Sequence, residues 1–147
     1  MQQAALPRFH FPIQVRFADT DALGHAFFGS YYTFMDEAFM AYIAELGYPW
    51  SALVEKGLAL FYVDSGCQFK GPSFFGDRLN VHTRIAQLGK SSMTAEMTMV
   101  READQKIVAA GYIKAVLVDA RKEKSTPIPD DFREAVTAYQ KGVPITG

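Results

Sequence analysis

Apolar and polar side chains alternate over residues 11–17, where Phe11, Ile13, Val15 and Phe17 are set against Pro12, Gln14 and Arg16. A period of two marks a strand with one face covered, and Pro12 suits a strand start or an edge. The period then lengthens. From residue 31 to about 46, Tyr31, Phe34, Met35, Ala38, Tyr42 and Ile43 fall at helical spacing, and Thr33, Asp36, Glu37 and Glu45 are the few polar members. That composition predicts a helix buried on most sides. Gly47 supplies a left-handed cap and Pro49 a stop. A short second helix is predicted near residues 50–56.

Four strand-like segments follow. Residues 60–69 place Phe61, Val63, Ser65, Cys67 and Phe69 on one face; residues 78–87 alternate through Leu79, Val81, Thr83 and Ile85; residues 92–101 carry Met93, Ala95, Met97 and Met99 on one side. Residues 106–118 are apolar almost throughout, which predicts a strand covered on both faces. The breaks near Gly71-Pro72 to Gly76-Asp77, Leu88-Gly89-Lys90 and Glu102-Ala103-Asp104-Gln105 are too short for a parallel crossover, so an antiparallel four-strand meander is predicted. Arg121-Lys122-Glu123-Lys124 reads as a charged turn. Pro129-Asp130-Asp131 opens a final helix that stops near Gly142. The order strand, long helix, four strands, short helix predicts an α+β fold, a five-stranded antiparallel sheet wrapped around one buried helix. A single domain over residues 1–147 is expected.

Composition narrows the function. The chain is 49% hydrophobic, with 12 Phe and 7 Tyr, which is apolar for 147 residues and predicts surface buried between subunits. Net charge is −1, from 15 basic and 16 acidic residues, so a broad footprint for nucleic acid is absent. A single Cys67 excludes an internal disulfide framework and agrees with a reducing compartment. Residues 1–8 lack the apolar run of a signal peptide and no stretch is long enough to span a membrane, so a cytoplasmic location is expected. His10, His25 and His82 are scattered and give no metal spacing.

Candidate chemistry gathers where the first strand stops, in Arg16-Phe17-Ala18-Asp19-Thr20-Asp21-Ala22-Leu23-Gly24-His25. Taken alone, Asp-Thr-Asp before a glycine is turn chemistry, because an Asx side chain binds nearby N–H groups. Yet Asp21 also precedes a helix start, whose first N–H groups lack partners. Gly24 permits close approach of a ligand, His25 can hold a proton or orient a water, and Phe27 and Phe28 lie beside the outward-pointing amides. A base or nucleophile next to a carbonyl-polarising donor is the minimum equipment for splitting an acyl bond. Phe27, Phe28, Tyr31 and Tyr32 are either an apolar wall for that site or simply core.

Residues 15–42 resemble the 4-hydroxybenzoyl-CoA thioesterase-like family, a branch of the hotdog-fold acyl-CoA thioesterases. The family pattern is a strand, Asp-x-Asp-x-x-Gly, a short loop, and a Tyr opening a long helix with an acid inside it. Here those residues are Asp19, Asp21, Gly24, Tyr31 and Glu37, and the resemblance continues through Gly47-Tyr48-Pro49-Trp50, Phe69-Lys70-Gly71-Pro72 and Gly76-Asp77. It implies a hotdog fold and hydrolysis of acyl-CoA thioesters to free acid and coenzyme A. It makes Asp21 the catalytic base or nucleophile, places the polarising backbone N–H at about Phe28, and sets Tyr31 against the substrate. Lys90, Ser91 and Ser92 correspond to a phosphate-binding segment. Lys70 is a second candidate contact, and the alternative for both lysines is an ordinary solvated side chain. Neither metal nor cofactor is implied, since coenzyme A belongs to the substrate and its thiolate leaves readily.

One branch of the family follows Gly-His with Val-Asn-Asn, whereas Gly24-His25 precedes Ala26-Phe27-Phe28. The change makes the acyl site more apolar, favours an aromatic or aliphatic acyl group, and leaves His25 as an orienting or structural residue. Glu37 is the rival acid, since another hotdog branch takes its acid from the helix; pairing of Glu37 with Arg16 or Arg78 is expected instead. The resemblance further implies a homodimer with a continuous sheet, built on the Met and Val faces of the meander and doubled to a homotetramer. Asp21 of one chain would then face residues 65–69 of the next. Two other readings stay open: an acyl-ACP thioesterase, and a non-catalytic acyl-CoA binding protein. A hydratase would want an Asp–His pair that the chain lacks.

Overall fold

The computed structural model describes residues 5–141 and 145–146; Gly142, the expected stop of the last helix, lies outside them. In chain order the elements are β1 (Phe9–Gln14), α1 (Ser30–Glu45), α2 (Trp50–Glu55), β2 (Leu58–Phe69), β3 (Arg78–Leu88), β4 (Ser92–Arg101), β5 (Ile107–Asp119), β6 (Lys124–Ser125) and α3 (Asp130–Tyr139). The expected α+β plan of a curled antiparallel sheet over one long helix is present. The sheet order is β1-β3-β4-β5-β2, every pair antiparallel, with β6 added on β5. β6 falls where a charged turn was expected. Asp119 folds that turn by accepting the Arg121 and Lys122 N–H groups at 2.9 and 3.1 Å, and the chain then returns along β5 for two residues.

Only three strands form a meander. β2 pairs with β5 at one edge, whereas β3 lies between β1 and β4, so residues 70–77 cross the end of the sheet rather than close a hairpin. A short link forbids a parallel crossover, but it does not demand a hairpin once a sheet curls and its edges approach each other. The link is fastened along its length: the Lys70 N–H donates to the Val108 carbonyl, Arg101 Nη1 to the Pro72 carbonyl, and the Val15 N–H to the Asp77 carbonyl.

The core lies between α1 and the inner face of the sheet. Tyr31, Phe34, Met35, Ala38, Phe39, Tyr42 and Ile43 bury against Leu79, Val81 and Ile85 of β3 and Met93, Ala95, Met97 and Met99 of β4. The methionines are therefore interior and unavailable to a partner chain. The helix is covered on one side only, because Tyr32, Thr33, Asp36, Glu37, Ala44 and Glu45 are exposed. β5 is likewise covered on one face: Ala109, Ile113, Ala115 and Leu117 point in, while Lys114 is exposed and Ala110, Tyr112 and Val116 are half-buried. In β2 the register slips at Val63, a bulge that moves the alternation by one residue. Tyr62 turns inward and stacks on Phe39, rings 5.8 Å apart, although 42% of it stays exposed, and Phe61 and Val63 are more exposed still. The face shared by Cys67 and Phe69 consequently excludes them. Phe17, the last member of the first alternation, has left the sheet and is 78% exposed.

A polar plug closes the far end of the core. Buried Gln140 takes the Tyr42 hydroxyl on Oε1 at 2.6 Å and the Ile85 N–H at 2.7 Å, and its Nε2 donates to the Ile85 carbonyl at 3.0 Å. These bonds satisfy the backbone beside the β3 bulge that follows Ile85. Gln140→Leu strands three buried groups and is expected to cost about 3 kcal/mol or more, against about 1 kcal/mol for Tyr42→Phe. Urea midpoints of the two variants give the comparison; equal losses would mean the amide is dispensable.

Candidate active site

The inner face of β1 runs on to Val15, whose carbonyl accepts the Gly76 N–H at 2.8 Å, and the chain then makes one 3₁₀ turn (Phe17–Asp19). Asp19 is 4% exposed. Its carboxylate accepts the Arg16 backbone N–H at 2.8 Å and the guanidinium Nε and Nη2 at 3.1 and 2.9 Å. Those bonds from Arg16 hold its carboxyl below the ordinary range. Arg16 thus makes its ion pair with Asp19, and Glu37 adds only a weaker attraction at longer range. Glu37 stands on the exposed side of α1, outside the cleft described below, and no ion pair joins it to Arg78 among the described residues.

Asp21 lies two residues on, half-buried. Its Oδ1 accepts the Leu23 N–H at 2.9 Å, its carbonyl accepts the Gly24 N–H, and its own N–H donates to the His25 carbonyl, each of the last two at 3.0 Å. This is an Asx turn, and it leaves Oδ2 without a partner among the described residues. Gly24 has φ +83°, which a side chain there would strain. His25 is bridged to Phe74 through its backbone, and its Nδ1 lies 3.2 Å from the Ala26 carbonyl oxygen.

At the entry to α1 the Ser30 N–H donates to the Phe27 carbonyl, and the Phe28 N–H has no acceptor among the described residues. Phe28, Asp21, His25, Tyr31 and Lys70 line one open-sided cleft of about 660 Å³. Sequence reasoning therefore placed five candidate residues around one cavity. Gly24 shapes its rim without lining it.

Lys90, Ser91 and Ser92 do not join them. They sit in the hairpin from β3 to β4, whereas Arg78 at the other end of β3 pairs with Gln14 beside the Asp21 loop. An eleven-residue strand puts its two ends up to roughly 33 Å apart in one chain. Their backbone is also in use: the Lys90 carbonyl accepts the Ile128 N–H at 2.8 Å and the Ser91 carbonyl accepts the Leu117 N–H at 2.7 Å.

Leu23, Phe69, Pro72 and Phe74 complete the walls, and of these Leu23 and Phe74 had no role in the sequence reading. Phe69 packs against Tyr31 and Phe28 of its own chain, with ring centroids 5.5 and 6.1 Å apart, although it was expected to serve a partner's site. Fully buried Ser73 accepts the Tyr31 hydroxyl at 3.1 Å, and burial pushes the Tyr31 phenol up. The signal for these residues lay in residues 70–77, whose Pro and Gly read only as a turn.

The Asp19 pairing has a measurable pH signature. Its folded pKa is depressed, so its stabilising effect is fully present above the unfolded value of about 4 and fades as pH falls through the lower folded value. The gap in urea midpoint between wild type and Asp19→Asn is expected to shrink as pH falls below about 4. A gap that widens toward acid would contradict the pairing.

A family model described as the thioesterase-like superfamily matches residues 15–136. A solved gentisyl-coenzyme A thioesterase is 33% identical, with a TM-score of 0.78 over 88% of this chain and 99% of that one. A 1,4-dihydroxy-2-naphthoyl-CoA hydrolase of Synechococcus elongatus is 26% identical over 128 residues, 86% of this chain and 93% of its own. The acyl-CoA thioesterase YbgC of Haemophilus influenzae is 24% identical over the same shares. These likenesses show the hotdog fold.

Proposed function

Since the chain belongs to the thioesterase-like superfamily, we propose that it hydrolyses acyl-CoA thioesters with Asp21 as base or nucleophile and the Phe28 N–H as the carbonyl-polarising donor. The observation that carries this reading is that Asp21, which has an unpaired carboxylate oxygen, and Phe28, which has an unpaired amide, line one cleft among the described residues. The thioester carbonyl lies against the helix start, where the N–H meets the charge that develops on oxygen. Asp21 attacks the carbonyl carbon directly, forming a mixed anhydride that a water then opens to free acid and the restored carboxylate, or it takes a proton from a water that attacks the thioester itself. The tetrahedral adduct collapses and expels the thiolate, a good leaving group, so the site needs no metal and no cofactor beyond the coenzyme A of the substrate. His25 orients the loop through its backbone.

Phe28, Phe69, Phe74 and Leu23 give the acyl end apolar walls, and an acyl group bound against them displaces water and strengthens the hydrogen bond to the oxyanion. An aromatic or aliphatic acyl group fits them better than a charged one. The expected outcome of a substrate panel, read by release of free thiol, is turnover of benzoyl-CoA or a medium-chain acyl-CoA at least about tenfold above succinyl-CoA. Preference for succinyl-CoA would reject this account of the walls.

The working unit in this proposal is a homodimer, cytoplasmic and doubled to a tetramer, with no role for nucleic acid. β2 is the support: it pairs only with β5, leaves its outer edge open among the described residues, and exposes Phe61, Tyr62 and Val63. Antiparallel pairing of β2 with its copy would continue the sheet. It would also bring the partner's hairpin at Lys90, Ser91 and Ser92 to the same end of the doubled sheet as the Asp21 cleft, because Leu58 and Ser92 share one end through β5. On that arrangement the distant hairpin binds the coenzyme A phosphates in trans, with Lys70 in cis.

A further inference from the structure

We infer that Asp19 is a positioning residue for the reaction: tied to Arg16 by its carboxylate and to Phe27 and Ser30 by its carbonyl, it sets the separation of the Asp21 carboxylate from the Phe28 N–H. This rests on the reading in which those two groups do the chemistry.

Asp19 is bonded on both sides. Its carboxylate takes three bonds from Arg16, at the end of the β1 segment. Its carbonyl takes two, from the Phe27 N–H at 2.8 Å and from Ser30 Oγ at 2.9 Å, the residues that bracket Phe28. Among the described residues, no other side chain and carbonyl together join the strand end to the helix start in this way. α1 has no side-chain cap at Gly29, so the Ser30 hydroxyl on Asp19 is what fastens its first turn to the loop. The neighbouring side chains give little help, since Ala22, Leu23, Gly24, Phe27 and Phe28 are all exposed.

Stability alone does not account for this carboxylate. A buried charge costs free energy unless paired, and an apolar side chain of similar size often serves a core as well. The partner guanidinium is 69% exposed, where the attraction of an ion pair is small. A fork of bonds fixes orientation more than it adds energy. Orientation is what an acyl transfer needs, because an error of about 1 Å between reacting groups costs on the order of a hundredfold in rate.

The test uses the full-length chain, benzoyl-CoA and thiol release, with kcat and KM measured per folded protein. Asp19→Asn keeps size but turns an N–H toward the guanidinium, and kcat is expected to fall about 10- to 100-fold with KM within about twofold. Ser30→Ala removes one link from the helix side without touching the buried pair, and kcat is expected to fall about threefold to tenfold at constant KM. Asp19→Asn added to Asp21→Asn is expected to cost nothing further, since a positioning residue acts only through the group it positions. Unchanged kcat in both single variants, or a full additional loss in the double variant, overturns the role of Asp19 alone. An active Asp21→Asn overturns the underlying reading and the role with it.

Discussion

Asp21→Asn is expected to lower kcat by about 10²- to 10⁴-fold, or about 3 to 5 kcal/mol of transition-state stabilisation, while KM and fold are retained. The substitution is clean because of the Asx turn. Asparagine still offers Oδ1 to the Leu23 N–H at 2.9 Å, so the loop keeps its shape and only charge and basicity are lost. Either chemical route fails with it: an amide neither accepts the water proton at neutral pH nor attacks a thioester. Single turnover in ¹⁸O-labelled water separates the routes in the wild type. Label in the Asp21 carboxylate requires direct attack, with water opening the anhydride at the aspartyl carbonyl, whereas base catalysis places it only in the released acid. A variant within about threefold of wild-type kcat would remove Asp21 from the mechanism, whereas a wild-type chain that binds acyl-CoA without releasing thiol would favour the acyl-CoA binding alternative.

Gly111→Ala is expected to be the most damaging single methyl group in the fold. A Cβ at this position would lie 2.5 Å from the Gly66 carbonyl oxygen and 2.6 Å from Met35 Sδ. The first contact is backbone of the paired strand β2, and the second is the face that α1 lays on the sheet, so the two neighbours block separate escapes. Overpacking costs typically 1–3 kcal/mol, and here the upper end, about 3 kcal/mol, is expected. For a chain of this size that is a fall in Tm of roughly 6 to 12 °C. Gly71→Ala is the control, since a Cβ there meets nothing within 4 Å, and its midpoint is expected to stay close to wild type. Matching midpoints for the two variants would mean that β2 yields freely to α1.

Legibility followed periodicity. β3 alternates as far as Ile85 and β4 as far as Met99, so Leu79 and Val81, and Met93, Met97 and Met99, were each grouped on one face, although the Met face was expected to meet a partner and instead packs into the core. β2 misled because one bulged residue at Val63 reverses the face of everything before it, and a bulge has no signature in hydropathy. β5 misled for another reason: a small apolar residue such as Ala110 or Val116 is tolerated on a half-open face, so continuity of apolar character overstated its burial. In the site, Asp21, His25, Phe28, Tyr31 and Lys70 were legible from the Asp-Thr-Asp loop and the motifs around it. Ser73 and Phe74 were not, because no local pattern says which distant loop closes over a helix start.

The sequence by itself determined the elements, the inward faces of the regular strands, and the loop that carries the two acids, since each depends on residues within a few positions of one another. Tertiary structure alone decided the sheet order, with residues 70–77 crossing from β2 to β3, and the separation of the Lys90 hairpin from the cleft. It also decided that Asp19, rather than a hydrophobic contact, joins strand to helix. These are outcomes of long-range closure: they depend on how far the sheet curls around α1, a sum over many contacts that no short window of residues encodes.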